Sequence, residues 1–147
     1  MNSSSLPPGR APAAALAIVN ARVWTGDLRR PWADAVLVRG ELIDAVGSGA
    51  ELRKRAGTGV PVVDARGMLV LPGSIGARTE EAFAELARRS DPIGEGAGVR
   101  PGAPADLVLL DRDLSRRESS ANRGEAQVVL ELVGGRIVYD ARLPVPS

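Results

Sequence analysis

The stretch VVDARGMLVLPG, from Val62 to Gly73, decides the fold class because it holds two apolar runs on either side of a turn. Residues 60–64 and 68–71 are rich in valine and leucine, which predicts two short strands. Residues 64–67 form the turn between them. Pro72 and Gly73 then stop the sheet, since proline cannot donate to a strand ladder. The segment therefore predicts short strands joined by tight turns.

The same pattern continues on both sides of this segment. Gly40 lies between two apolar runs, and Gly134-Gly135 separates the last two, so both positions predict hairpin turns that need glycine. Further strands are predicted at residues 16–20, 21–24, 35–39, 42–46, 106–110, 127–133 and 136–139. The run 128–133 is broken only by Glu131, so either the sheet is covered on both sides or one face awaits a partner.

Two segments have the features of helices. Residues 49–56 predict two helical turns that end at Gly57. Residues 79–89 begin with Thr79 as an N-cap, carry acids in the first turn and end in arginines, which suits the helix dipole. An apolar stripe of this second helix comprises Phe83, Leu86 and Ala87, and its solvated face comprises Glu80, Glu81 and Glu85, with Glu85 spaced to pair with Arg88 or Arg89.

Strands at both ends with a helix between them predict a mainly β protein, a β-sandwich with one short helix, about residues 79–89, inserted. A length of 147 residues fits one domain. We predict a disordered leader at residues 1–14 and a single domain at 15–143. That domain has an N-terminal half at 15–73, a helical linker at 74–98 and a C-terminal half at 99–143.

Composition excludes several classes of function. The sequence has no histidine and no cysteine, so it offers neither a disulfide framework nor a thiolate or imidazole for catalysis. A net charge of +1 argues against nucleic-acid and membrane surfaces. The apolar residues 11–19 are too short for a signal core and run directly into a predicted strand. We therefore expect a cytoplasmic protein without nucleic-acid or membrane partners.

Five motifs, in order, resemble the amidohydrolase superfamily. They are AIVNARVW at 17–24, DAVLVRGELIDAVG at 34–47, VDARGMLVLPG at 63–73, GVRPGAPADLVLLDRD at 98–113 and LVGGRIVY at 132–139. The resemblance implies a composite β-sandwich built from both halves of the chain. In that family a metal-binding (β/α)8 barrel lies between the halves, and a barrel needs about 250 residues. About 25 residues, from Ser74 to Gly98, take that place here.

The family's first barrel strand carries a His-x-His metal motif after Pro-Gly. This chain has Arg78-Thr79-Glu80 instead, and a permanent cation in the first coordination sphere repels a divalent metal. Alternatively, residues 79–86 resemble the last barrel helix of these enzymes, and Arg78 to Glu80 then marks the seam of an internal deletion. Both interpretations remove the metal site.

The other candidate sites have ordinary structural explanations. Three aspartates cluster near a strand end and could offer oxygens to magnesium or calcium, but Asp commonly ends strands and starts turns. Serines lack a histidine base, and the glycines of residues 94–98 lack the lysine of a phosphate loop. The aspartates are Asp106, Asp111 and Asp113, and the serines include Ser74 and Ser90. A basic stretch, which we interpret as a solvated loop, comprises Arg112, Arg116, Arg117 and Arg123. We predict no catalytic, cofactor-binding or metal residue and no cofactor.

The sequence thus favours a non-catalytic sandwich domain with a structural or protein-interaction role. An exposed sheet face or edge should then support a homo-oligomer or a partner protein. The alternative is a hydrolase of non-peptide carbon–nitrogen bonds that is active only with a barrel supplied by another chain. A decayed or mispredicted reading frame is a third hypothesis, against which the intact turn glycines argue.

Overall fold

A computed structural model describes residues 14–27, 29–73, 79–88, 98–114 and 126–141 of the protein. In chain order the elements are β1 (Ala15–Val19), β2 (Arg22–Trp24), β3 (Trp32–Ala33), β4 (Ala35–Arg39), β5 (Leu42–Gly47), α1 (Gly49–Ala56), β6 (Val62–Asp64), β7 (Leu69–Pro72), α2 (Glu80–Arg88), β8 (Leu107–Leu110), β9 (Val128–Val133) and β10 (Arg136–Asp140). The predicted strands and helices are confirmed to within about two residues at their ends, the precision expected of such boundaries. Strand β3 was not predicted, and the predicted leader lies outside the described residues apart from Ala14.

The strands form two sheets that face each other. One has four strands in the order β5-β4-β1-β6, and the other has six in the order β10-β9-β8-β7-β2-β3. Strand β7 of the N-terminal half pairs antiparallel with β8 of the C-terminal half, from Leu69 opposite Leu110 to Pro72 opposite Leu107. Both halves therefore build one sheet, which confirms the mainly β composite sandwich. The core between the sheets includes Ile18, Val36, Val38, Val70, Leu107, Leu109 and Leu130.

Two chain segments cross from one sheet to the other side by side. Strand β1 leads into β2 through Asn20, and β6 leads into β7 through Arg66, both with positive φ of 53° and 51°. The segments run parallel in each sheet, β1 beside β6 and β2 beside β7. The Asp64 carboxylate ties the two corners together, since its Oδ1 accepts from the Arg66 N–H at 2.9 Å and from Asn20 Nδ2 at 3.2 Å.

A helix packs on the outer face of each sheet. Helix α1 begins with a capping box between Ser48 and Glu51 and buries Leu52 against the outer face of the four-stranded sheet. Helix α2 buries Phe83 against the outer face of the six-stranded sheet. The described residues thus form four layers, helix, sheet, sheet and helix. Neither helix is long and apolar enough to cross a membrane.

Candidate functional site

Each of the three aspartates considered as metal ligands makes a hydrogen bond or an ion pair with another part of the fold. Asp106 Oδ1 accepts from the Gly134 N–H at 2.7 Å and so fixes the hairpin turn between β9 and β10. Asp113, whose side chain is 10% exposed, pairs with Arg22 at 3.0 Å between Oδ2 and Nε. Across the described ranges, no three histidine, cysteine, aspartate or glutamate side chains are grouped so that they could hold a metal ion.

Asp111 joins the end of β8 to the start of β9. Its Oδ1 accepts from the Gln127 N–H at 3.1 Å and from Arg112 Nε at 3.0 Å. Burial by itself would raise the pKa of the Asp111 carboxyl, but the hydrogen bonds from Arg112 and from the Gln127 N–H outweigh it. The pKa therefore lies below its ordinary value of 3.8, so the carboxylate is held charged.

Replacing Asp111 with alanine is expected to lower the free energy of unfolding by about 1 kcal/mol, because the Gln127 N–H loses its acceptor. Asp111→Asn keeps an acceptor oxygen and should lose less. Because the folded pKa is lowered, the stabilisation from the charge is present above pH 3.8 and is lost as the pH falls through the folded pKa. Urea unfolding of both variants at neutral pH and at about pH 3 measures this.

The two explanations of Asp111 differ in their response to divalent cations. A structural aspartate leaves the Tm of the wild-type chain unchanged when magnesium or calcium is added. A rise in Tm that disappears in Asp111→Asn would contradict the structural role, because a ligand that binds the folded state stabilises it.

Thr79 begins a helix rather than lying in a strand. Its hydroxyl accepts from the Ala82 N–H at 3.0 Å, and its carbonyl accepts from the Phe83 N–H at 2.9 Å. The predicted N-cap is confirmed. Arg78 lies outside the described residues, and so do the other candidates Ser74, Ser90, residues 94–97, Arg116, Arg117 and Arg123. Of α2, the structure does not describe the side chains of Glu80, Leu86, Ala87 and Arg88.

An aromatic cluster that sequence reasoning missed lies under α2. Trp24 makes edge contacts with Trp32 and Phe83, at centroid distances of 5.1 and 5.4 Å, and Trp32 stacks on Phe83 at 5.8 Å. Arg22 places its guanidinium carbon 3.9 Å from the centre of the Trp32 ring. The sequence offered only a compositional signal for this cluster, namely that Trp24, Trp32 and Phe83 are three of the four aromatic residues in the chain.

The aromatic cluster fixes the position of α2 on the six-stranded sheet. Edge and stacked contacts of this kind add to the gain from burying the rings, and the guanidinium adds a cation–π contact. Arg22 also pairs with Asp113, so the cluster links β2 to the segment after β8.

The hairpin of β9 and β10 is the most exposed apolar part of the described surface. Four of its side chains are about half exposed, namely Val133 at 50%, Ile137 at 46%, Val138 at 55% and Tyr139 at 50%. Val133 and Tyr139 lie on the outer face of the six-stranded sheet, whereas Ile137 lies opposite Leu132 of the core between the sheets. Val108, on the outer face one strand away, is buried beside the residues that α2 covers. Helix α2 therefore covers one part of this face, and the hairpin at its far edge stays exposed.

Comparisons with known proteins found similarity between part of this chain and parts of other proteins. No protein-family model matches the chain. The chain is similar to the N-substituted formamide deformylase of Arthrobacter pascens, with 42% identity over 94 residues, which are 64% of this chain and 17% of that protein.

Solved structures of similar proteins cover smaller parts of the chain. One is an enamidase described as a member of the amidohydrolase superfamily, with 36% identity, a TM-score of 0.34 and coverage of 41% of this chain and 16% of that chain. Another is a metal-dependent hydrolase from Pyrococcus furiosus, with 18% identity, a TM-score of 0.37 and coverage of 50% and 16%. The chain spans about a sixth of the length of these relatives. The predicted resemblance to the amidohydrolase superfamily is thus confirmed for part of this chain and for a small part of each relative.

Proposed function

We propose that this chain is a non-catalytic sandwich domain of amidohydrolase type with a structural or protein-interaction role. Asp106, Asp111 and Asp113 each bond to other parts of the fold, and the sequence offers no histidine to act as a metal ligand or general base. Function has to be argued from a site rather than from a fold, because one fold supports many activities. The bonds made by these aspartates therefore support a binding or structural role over a catalytic one.

The observation that carries this proposal is the connection between the two halves of the sandwich. About 25 residues, from Ser74 to Gly98, stand where the family has a barrel of about 250 residues. Within this connection α2 folds back onto the six-stranded sheet and seats Phe83 against Trp24 and Trp32. A helix in this position supports the interpretation that the barrel has been replaced by a short helical cover.

The start of α2 also bears on the two interpretations of residues 78–80. A metal motif of the family's type needs alternate side chains of a strand to point to one face. Thr79 instead caps a helix and bonds to Ala82 and Phe83. This geometry favours the deletion seam, with α2 as the equivalent of a barrel helix.

We expect untagged protein, purified without chelators, to contain no stoichiometric transition metal. Inductively coupled plasma mass spectrometry, scaled to protein concentration, measures this directly. A matched sample treated with a chelator and then dialysed should give the same Tm, because no bound metal contributes to folding. Near-stoichiometric zinc, manganese or iron would refute the non-catalytic role.

A second candidate function is supported by the similarity to the formamide deformylase over 94 residues. Here the chain would be the sandwich part of a hydrolase of non-peptide carbon–nitrogen bonds whose barrel comes from another chain. A neighbouring gene that encodes a barrel without its own sandwich is the feature that would favour this function. Hydrolysis of N-substituted formamides by the mixed chains, and by neither chain alone, would establish it.

A further inference from the structure

We infer that two copies of this chain associate face to face through the β9–β10 hairpin, an inference that rests on the interaction role proposed above. The surface involved is the outer face of the hairpin, which we call the hairpin patch. It consists of Glu131 and Val133 on β9 and Arg136 and Tyr139 on β10. Val133 and Tyr139 are each 50% exposed, Arg136 is exposed and Glu131 is partly exposed.

Strand pairing places these four side chains on one face. Arg136 lies opposite Val133, and Tyr139 lies opposite Glu131. Residues directly opposite each other in an antiparallel pair share a face, and so do residues two apart on one strand. Glu131 also lies opposite Val108 of β8, which faces the same side as the residues under α2. The hairpin patch is therefore the uncovered margin of the outer face of the six-stranded sheet.

The arrangement of charges makes the hairpin patch complementary to itself. Its four side chains form a square in which Glu131 and Arg136 occupy one diagonal and Val133 and Tyr139 the other. A two-fold axis that lies in the plane of the face, along the apolar diagonal, sets each Glu131 against the partner's Arg136. The same axis sets Val133 and Tyr139 against their own copies. Such an isologous contact closes with two subunits.

The free edge of β10 is a poorer route to a dimer. Its pairing with β9 shifts register between Ile137 and Tyr139, so Val138 is the extra residue of a bulge. The Ala141 N–H donates to Val129 O at 2.8 Å, so the register beyond the bulge stays intact. A bulge interrupts the regular alternation of outward N–H and C=O groups, and edge strands use bulges to block pairing. The face, rather than the edge, is therefore the surface available to a second copy.

The size of the hairpin patch sets the strength of association. Four side chains bury much less than the roughly 1,200 Å² of total area typical of a stable interface. The sheets would cross at a large angle, as in orthogonal sheet packing. We therefore expect a weak dimer that forms at high protein concentration and weakens with added salt, which screens the two ion pairs.

Charge reversal tests this inference. Sedimentation equilibrium over micromolar to millimolar concentrations should show a monomer–dimer equilibrium for the wild-type chain. Glu131→Arg and Arg136→Glu each set like charges together, and each should raise the dimer Kd by about tenfold or more. An equimolar mixture of the two variants should associate again, because a patch that carries two arginines then meets a patch that carries two glutamates. This recovery also shows that both variants are folded.

The control variant is Lys54→Glu, which makes the same change of charge as Arg136→Glu on α1, the helix of the opposite outer layer. It should dimerise like the wild type. The inference is overturned if the wild-type chain stays monomeric throughout, if the single reversals dimerise unchanged, or if the mixture fails to associate. Bound metal would refute the non-catalytic role while leaving the dimer untouched, so the two failures are distinguishable.

Discussion

Gly98→Ala is expected to lower the free energy of unfolding by about 3 kcal/mol or more, the upper range for overpacking a closed site. A Cβ at Gly98 would clash with the backbone carbonyl of Thr25 and the amide of Gly26. That backbone cannot retreat easily, because the buried Thr25 hydroxyl donates to Arg30 O at 2.6 Å and accepts from the Asp27 N–H at 3.0 Å. Urea unfolding followed by circular dichroism, with the m-value compared, measures the loss.

The matched control is Gly73→Ala, at the other end of the connection between the halves. A Cβ there would meet the Asp106 backbone at 3.5 Å, an ordinary van der Waals distance. We expect a change of less than about 1 kcal/mol for the control. If both substitutions changed the free energy of unfolding by the same small amount, Gly98 would not be packed tightly against the loop after β2.

The Gly98 prediction bears on how the sandwich is closed. Directly after Gly98, the Val99 N–H donates to Trp24 O at 2.8 Å, and Arg100 Nε donates to Thr25 O at 3.2 Å. The C-terminal half therefore returns to the sheet at the end of β2. A side chain at Gly98 would disrupt these hydrogen bonds. The loss in free energy of unfolding of Gly98→Ala therefore measures how strongly the two halves are joined here.

Phe83→Ala is expected to lower the free energy of unfolding by about 3 kcal/mol, as large aromatic truncations in cores do. Phe83 is 5% exposed and contacts both Trp24 and Trp32. These are the two tryptophans of the sequence, so tryptophan fluorescence, excited where Tyr139 does not absorb, reports on this cluster alone. We expect a red-shifted emission as well as the loss of stability, because the indoles gain contact with water.

An exposed position on the same helix supplies the control. Ala84→Gln exchanges one good helix former for another and should change stability by less than about 0.5 kcal/mol, with unchanged emission. If Phe83→Ala left the emission maximum where it is in the wild type, α2 would not be the cover of this face. The support that α2 gives to a non-catalytic domain would then be lost.

Local pattern was sufficient for most of the secondary structure. The strands were predictable because valine, leucine and isoleucine recur between turn residues, and the turns because their backbone requires glycine. Gly40, Gly134 and Gly135 have φ values of 63°, 56° and 79°, as a tight hairpin demands. The start of α2 followed from Thr79, since a threonine hydroxyl satisfies a free N–H of the first turn.

The candidate site was predictable only in part. The chemistry of aspartate predicted a role at strand ends and turns. Asp106 and Asp111, which flank β8, do accept from backbone N–H groups, but these belong to Gly134 and Gln127 in distant segments. Their partners were not predictable, and neither was that of Asp113, because Arg22 and Asp113 are far apart in the sequence and meet only when β2 and β8 lie in the same sheet with β7 between them. Strand β3 was missed because Trp32 and Ala33 pair with only Val23 and Trp24, too short a contact to leave a periodic pattern.

The sequence by itself therefore determined which segments are strands, where they turn and which helix is capped, because these depend on the conformational preferences of adjacent residues. The tertiary structure decided that the chain crosses between sheets at Asn20 and Arg66, and that α2 covers one part of the outer face while the hairpin patch stays exposed. The physical reason is that a strand's neighbours and the side of a sheet that meets water depend on packing among distant segments, which no local pattern encodes.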